Sequence, residues 1–160
     1  MISKIYSHPN ELLAMPKFRT CVVTSGGFDP MHVGHLRCLQ NSAEIARQNK
    51  VQLVVIVNGD GFLHRKKGFA FMPEAERAEI IAGIAGVDAV VLWDDGTQFV
   101  TGALEILRPI IFTKGGDRDS AANVPEFDLC EKIGCKVMFG VGGGKVQSSS
   151  DLVKAARLSA

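Results

Sequence analysis

The stretch "TCVVTSGGFDPMHVGHLRCLQNSAEIARQ", residues 20–48, decides the fold. Thr20 to Ser25 is short, apolar and β-branched, and reads as a buried strand centred on Cys21–Thr24. Leu36–Gln48 carries apolar residues at helical spacing and reads as an amphipathic helix. Between them, "GGFDPMHVGH" (residues 26–35) crowds glycines, an aspartate, a proline and two histidines into one connection. A strand-to-helix turn needs one glycine or a cap. This turn carries more chemistry than a connector requires.

Outward from that unit the same alternation repeats. Strands are expected at Leu53–Val57, Ala89–Leu92, Ile110–Thr113 and Lys136–Gly140, and helices at Pro73–Ile84, Gln98–Leu107, Pro125–Lys132 and Asp151–Leu158. Pro73 and Pro125 fall where a first helical turn tolerates proline. Such alternation implies βαβ crossovers. The expected fold is α/β, a Rossmann-like parallel sheet of about five strands with helices on both faces, in a single domain over residues 1–160.

A net charge of +1 argues against nucleic acid or an anionic membrane as main partner, while small anionic ligands need only local donors. The N-terminal stretch lacks the apolar core of a signal peptide, and the longest apolar runs are far too short to span a bilayer. Cys21, Cys38, Cys130 and Cys135 show neither a CxxC pair nor a metal spacing, so they read as buried thiols in a reducing cytoplasm.

In an open parallel sheet, ligands bind beyond the carboxyl ends of the strands. The unusual segments fall there: Gly26–His35, Gly59–Phe71, Lys114–Asp119 and Val141–Ser150. Gly26 and Gly27 allow close backbone approach to a ligand. The helix beginning near Gly34 suits a phosphate, and His32 and His35 can reach one face of a bound anion, as hydrogen-bond donors or as cations. The segment with Arg65, Lys66 and Lys67 between glycines reads either as a solvated basic loop or as a mobile flap over polyphosphate. "TKGGDRDS" reads either as a polar turn or as part of the site. The glycine-rich "GVGGGKVQSSSD" is not a P-loop, because Phe139 stands where the first glycine belongs and Val146 where Ser or Thr belongs. Of Ser148, Ser149 and Ser150, one is expected to cap the last helix and another to meet a phosphate. No G-x-G-x-x-G follows a strand, and no protein-metal site is expected, since His8 and His64 stand isolated.

"GGFDPMHVGH" resembles the G-x-F-D-x-x-H-x-G-H signature of the cytidylyltransferase-like nucleotidyltransferases. "VNGD", "RKKG", "VDAVVLWDDGT" and "LRPIIFTKGGD" are most similar to the adenylyltransferase domain of ADP-heptose synthases, and glycerol-3-phosphate cytidylyltransferase is similar in the first motif. The resemblance implies a nucleotidyltransferase that moves NMP from an NTP, ATP slightly preferred over CTP, to a phosphorylated sugar or polyol with release of pyrophosphate. A CTP-dependent enzyme acting on glycerol 3-phosphate is the alternative, and a non-catalytic nucleotide-binding module is the rival. His32, His35 and Lys67 would be catalytic. Gly27, Phe28, Lys114, Gly115, Gly116, Asp117, Ser148, Ser149 and Ser150 would bind nucleotide or phosphate. Mg²⁺ would enter with the triphosphate, the site would be cytoplasmic, and dimers are common among such enzymes. Two departures, Arg118 and "GGGKVQ", fall where the acceptor should bind.

Overall fold

The computed structural model describes residues 4–116 and 126–159. Six strands form one sheet: β1 (Ile5–Tyr6), β2 (Cys21–Gly26), β3 (Gln52–Asn58), β4 (Ala89–Trp93), β5 (Ile111–Thr113) and β6 (Lys136–Met138). Their order is β1-β4-β3-β2-β5-β6, and every pairing is parallel. The expected strands are present, with one addition. β1, two residues long, pairs Ile5 and Tyr6 with Val90 and Val91, and is too short to show a period in sequence.

The helices are α1 (Asn10–Leu13), α2 (Val33–Gln48), α3 (Asp60–Lys67), α4 (Glu74–Ala82), α5 (Thr101–Leu107), α6 (Phe127–Ile133) and α7 (Ser149–Ser159). Successive residues of each strand serve opposite faces, which is why the strands read as unbroken apolar runs. Val23, Val54, Ile56, Val91 and Phe112 pack with Leu12, Phe62, Leu104 and Cys130 beneath α1, α3, α5 and α6. Val22, Val55, Val57 and Val90 pack with Leu39, Ala46, Ala78 and Ile81 beneath α2 and α4. Among the described residues, no helix is long and apolar enough to cross a membrane.

β3 and β4 lie to one side of β2, β5 and β6 to the other. The chain direction across the sheet therefore reverses between β2 and β5, and a crevice opens beyond their carboxyl ends. The connection Gly26–His32 leaves β2 at this point. It contains a cis Asp29–Pro30 peptide and Phe28 at φ 52°, a left-handed conformation that is uncommon for a bulky residue.

The segment Gly59–Phe71 is not an open flap. Asp60–Lys67 forms α3, with His64, Arg65, Lys66 and Lys67 in its last turn and Gly68 beyond it at φ 86°. The cations that read as a flap sit at a helix C-terminus, where positive charge offsets the dipole, and the glycine supplies the left-handed stop. Arg65 pairs with Asp94 and donates to the Thr97 carbonyl.

Candidate active site

His32 caps α2 with its ring. Its Nδ1 accepts from the Gly34 N–H (3.0 Å), and the His32 N–H donates to His35 Nδ1 (3.2 Å). This is a capping box built from two imidazoles in place of a hydroxyl and a carboxylate. Sequence reading expects the helix N–H groups themselves to face an anion. The structure instead gives two of these backbone donors to the histidines. Because each Nδ1 is an acceptor, each neutral ring carries its proton on Nε2. The rings stack at 3.8 Å between centroids, and the edge of Phe28 meets His35 at 5.2 Å.

Burial holds both histidines neutral. It lowers the His35 pKa to about 4, with further repulsion from His32 and Lys67. It also lowers that of His32. At neutral pH the pair therefore offers Nε2–H donors, without charge until an anion arrives.

The rings line a cleft of about 220 Å³ at the reversal point, together with Phe28, Gly34, Lys114, Gly115 and Gly116. Thr24, which lines it, donates to the Thr113 carbonyl (3.1 Å), and the fully buried Ser42 and Thr113 hydroxyls lie 2.7 Å apart. Residues 142–147 form the opposite wall, including Lys145 and Gln147. Gly142 makes that wall possible. At φ +93° a Cβ there would stand 2.6 Å from the Cys38 backbone nitrogen in α2. Gly142 of "GVGGGK" thus serves close approach to α2, a role that needs no P-loop spacing.

Asp29 organises the rest of the turn. Its buried carboxylate accepts from the Phe71 and Met72 N–H groups (2.6 Å each), and Lys67 Nζ donates to the Asp29 carbonyl at 2.9 Å. Lys67 Nζ also lies 3.4 Å from the Asp29 carboxylate and 4.6 Å from the Phe69 ring centre. The lysine is thus held against "GGFDP" by its own contacts. Lys67 does not line the main cleft, though it is near enough to lower the His35 pKa.

The serines divide by task. Ser148 Oγ accepts from the Asp151 N–H (3.3 Å) and caps α7, whereas Ser149 Oγ donates to the Pro30 carbonyl (2.7 Å). Ser149 therefore fastens the last helix to the histidine turn, and Ser150 is exposed on the first turn of α7. None of the three lines the cleft. We expect Ser148→Ala to cost about 1 kcal/mol of stability and Ser150→Ala to be close to neutral, as read from thermal unfolding. Equal losses in both would remove the cap assignment. Asp117 lies outside the described residues.

Gly27 lines a second cavity of about 160 Å³, bounded also by Ser25, Gly26, Asn58, Lys66, Gln98, Lys114 and Glu126. Ser25, Gly26 and Lys114 border both spaces, so the two meet at the end of β2. The residue most clearly missed by sequence reading is Arg77 of α4, which is fully buried. It donates to the carbonyls of Met72 (2.8 Å), Gly27 (2.9 Å) and Asn58 (2.6 Å), and pairs with Asp60 at 2.7 Å. One signal points to it: Arg77 stands one helical turn before the apolar Ile81, on the same face of α4.

The profile of the cytidylyltransferase-like family matches residues 23–144. Over 98 residues the chain is 42% identical to the bifunctional protein HldE of Koribacter versatilis, covering 60% of this chain and 19% of that protein. Over 121 residues it is 38% identical to the HldE of Syntrophotalea carbinolica, covering 74% and 23%. The chain thus spans about a fifth of the length of these curated relatives. Among solved structures, it is similar to a lipopolysaccharide core biosynthesis protein from Thermoplasma volcanium, with TM-score 0.58, 24% identity and coverage of 81% and 97% of the two chains. It is also similar to the pantothenate synthetase of Thermus thermophilus, with TM-score 0.62, 17% identity and coverage of 94% and 67%. At these identities the structural likeness is one of fold.

Proposed function

This chain belongs to the cytidylyltransferase-like family of nucleotidyltransferases, and from that membership and the geometry of its cleft we propose that it transfers a nucleoside monophosphate from an NTP to a phosphorylated sugar or polyol. ATP is slightly preferred over CTP. A phosphate oxygen of the acceptor bonds to the α-phosphorus of the NTP. The bond from that phosphorus to the α–β bridging oxygen breaks, and pyrophosphate leaves with the electron pair. The protein forms no covalent bond in this step. It positions the reactants and stabilises charge.

One observation carries the reading: two stacked imidazoles, each with Nδ1 engaged by a backbone N–H, border one cleft with Lys114 and Lys145. Such donors are held before the substrate arrives, so little reorganisation is needed as charge grows on the phosphate oxygens. Lys67, anchored on Asp29, adds positive potential beside His35. Phe28, Gly115 and Gly116 offer backbone to the nucleotide, and Gly27 does so from the adjoining space.

Among the described residues, no Asp or Glu lines the main cleft and no cluster suits a protein-held metal. Such a donor set fits Mg²⁺ that arrives on the triphosphate and keeps most of its waters. When bound, that ion neutralises phosphate charge. A cytoplasmic location goes with this reading, because NTP is available there. A homodimer is compatible with it.

The test is a matrix of four NTPs against sugar and polyol phosphates, read by pyrophosphate release. We expect release that requires both substrates and is fastest with ATP. Nucleotide binding without release for any pair would leave a binding module. Saturable CTP binding with none of ATP in calorimetry would overturn the base preference.

A further inference from the structure

We propose that the second cavity is a polyol-recognition site, in which Asn58 Oδ1 and Glu126 Oε2 accept hydrogen bonds from two hydroxyls of the phosphorylated acceptor. The inference rests on the transfer reading above and names the part of the acceptor that this chain selects. Asn58 and Glu126 are each 5% exposed and both line the cavity. Among the described residues, Asn58 Oδ1 and Glu126 Oε2 are buried side-chain oxygens without a hydrogen-bond partner. Buried polar atoms are nearly always paired, so two orphans bordering one small cavity mark a place where a ligand supplies donors.

Both residues are held by their other contacts. The Asn58 backbone carbonyl accepts from buried Arg77 at 2.6 Å, which fixes the end of β3 that carries the side chain. Glu126 Oε1 accepts from the Val100 N–H at 3.2 Å, which leaves Oε2 as its remaining acceptor. Two acceptor oxygens in a cavity of about 160 Å³ call for a small molecule with at least two hydroxyls, since ordinary ligand pockets run from roughly 300 to 1,000 Å³.

The polarity of the cavity also sets the direction of binding. A phosphate beside the Glu126 carboxylate would meet like charge. Lys66 and Lys114 also line the cavity, and Lys114 with Ser25 and Gly26 is shared with the histidine cleft. The acceptor therefore enters with its hydroxyls toward Asn58 and Glu126. Its phosphate lies at the shared edge, where an oxygen can reach the α-phosphorus of a nucleotide in the first cleft. A site built to accept hydroxyl hydrogen bonds discriminates strongly against an analogue lacking them, because its buried oxygens are then left unpaired.

The experiment measures pyrophosphate release with a polyol phosphate, a hexose 1-phosphate and the corresponding deoxy analogues as probes. It uses the wild-type chain, Asn58→Leu and Glu126→Gln. Glu126→Gln keeps Oε1 for Val100 and replaces Oε2 with a donor group. Each variant should raise the acceptor KM by about tenfold or more while the NTP KM stays unchanged. Each should also lose part of the wild-type preference for the hydroxylated acceptor over its deoxy analogue. Asn58→Leu should melt no lower than wild type, because it removes an oxygen that has no partner. Wild-type release with unchanged acceptor KM in both variants overturns the acceptor site and leaves the transfer reading intact. Wild-type protein that uses deoxy and hydroxylated acceptors equally overturns it without reference to any variant. If wild type releases no pyrophosphate with any pair, the transfer reading fails, and the acceptor site with it.

Discussion

His35→Ala and His32→Ala should each fold and bind NTP, yet turn over about 10²- to 10³-fold more slowly, the usual cost of one lost transition-state donor. During transfer the α-phosphate gathers charge on its equatorial oxygens, and the departing pyrophosphate carries more. A donor that strengthens its bond as that charge grows lowers the barrier more than it tightens ground-state binding. The two rings are suited to this because their orientation is determined by the backbone, through the Gly34 N–H on His32 and the His32 N–H on His35. Neither alanine variant keeps the reciprocal cap. Some stability should therefore be lost in both, and melting curves are the control. His→Asn retains a donor at shorter reach and should fall between. Near-normal single-turnover release in both alanine variants, with both folded, would mean that the turn does no chemistry.

The protonation state yields a separate expectation with a definite sign. Folded His35 titrates at about 4, while an unperturbed histidine titrates at 6.5. Between these values the unfolded chain binds a proton that folded His35 refuses. Its contribution to stability is therefore present in full above 6.5 and is lost as pH falls toward 4. His32, lowered in the same direction, adds to the trend. In His35→Ala the fall in melting temperature on acidification through this window should be shallower. On the proposed mechanism, the neutral Nε2–H is the working form of the unliganded protein. Between about pH 7 and 8, above the acceptor phosphate's own ionisation near 6, kcat/KM should not decline as histidines deprotonate. A steady decline there, lost in the alanine variants, would show that the imidazolium is required.

What was legible in the sequence and what was not divide along physical lines. Strands buried on both faces must be apolar at every position, so β2, β3 and β4 announce themselves, as does the over-furnished turn after β2. α3 was hidden because its cations belong to a helix end rather than a loop, and only the contacts of Arg65 and Lys67 separate the two readings. The serine run reads as one cap and one phosphate contact; Ser148 is the cap, while Ser149 donates to Pro30, 119 positions away in sequence. The second cavity had no local signature. Asn58, Gln98 and Glu126 come from three separate segments and meet only in the folded chain. Arg77 was obscured by its neighbours: within "EAERAEII" it resembles one more solvated charge.

Arg77→Met should be the most destabilising single change among these residues, about 3 to 5 kcal/mol, because buried carbonyls left without a donor cost about 1 to 3 kcal/mol each. Methionine fills much of the aliphatic stem but provides no donor. Three carbonyls, of Met72, Gly27 and Asn58, would lose their bonds. Asp60 is the least costly of the losses, because its side chain is 37% exposed and water can replace the guanidinium. The Gly27 and Asn58 carbonyls have less recourse, because Asn58 ends β3 and Gly27 directly follows the neighbouring strand β2. Arg77→Lys should rescue little, since one ammonium cannot span acceptors that a planar fork reaches from several nitrogens. In a chain of this size the loss corresponds to a drop in melting temperature of roughly 6 to 20 °C. Denaturant titration should show a lower midpoint with an unchanged slope, the mark of a less stable but equally compact fold. At temperatures where Arg77→Met is still folded, its turnover should also fall, because Gly27 opens the turn that leads to His32 and His35. If stability falls while kcat is unchanged, Arg77 holds the sheet edge alone. If neither changes, the buried guanidinium has no part in shaping the site.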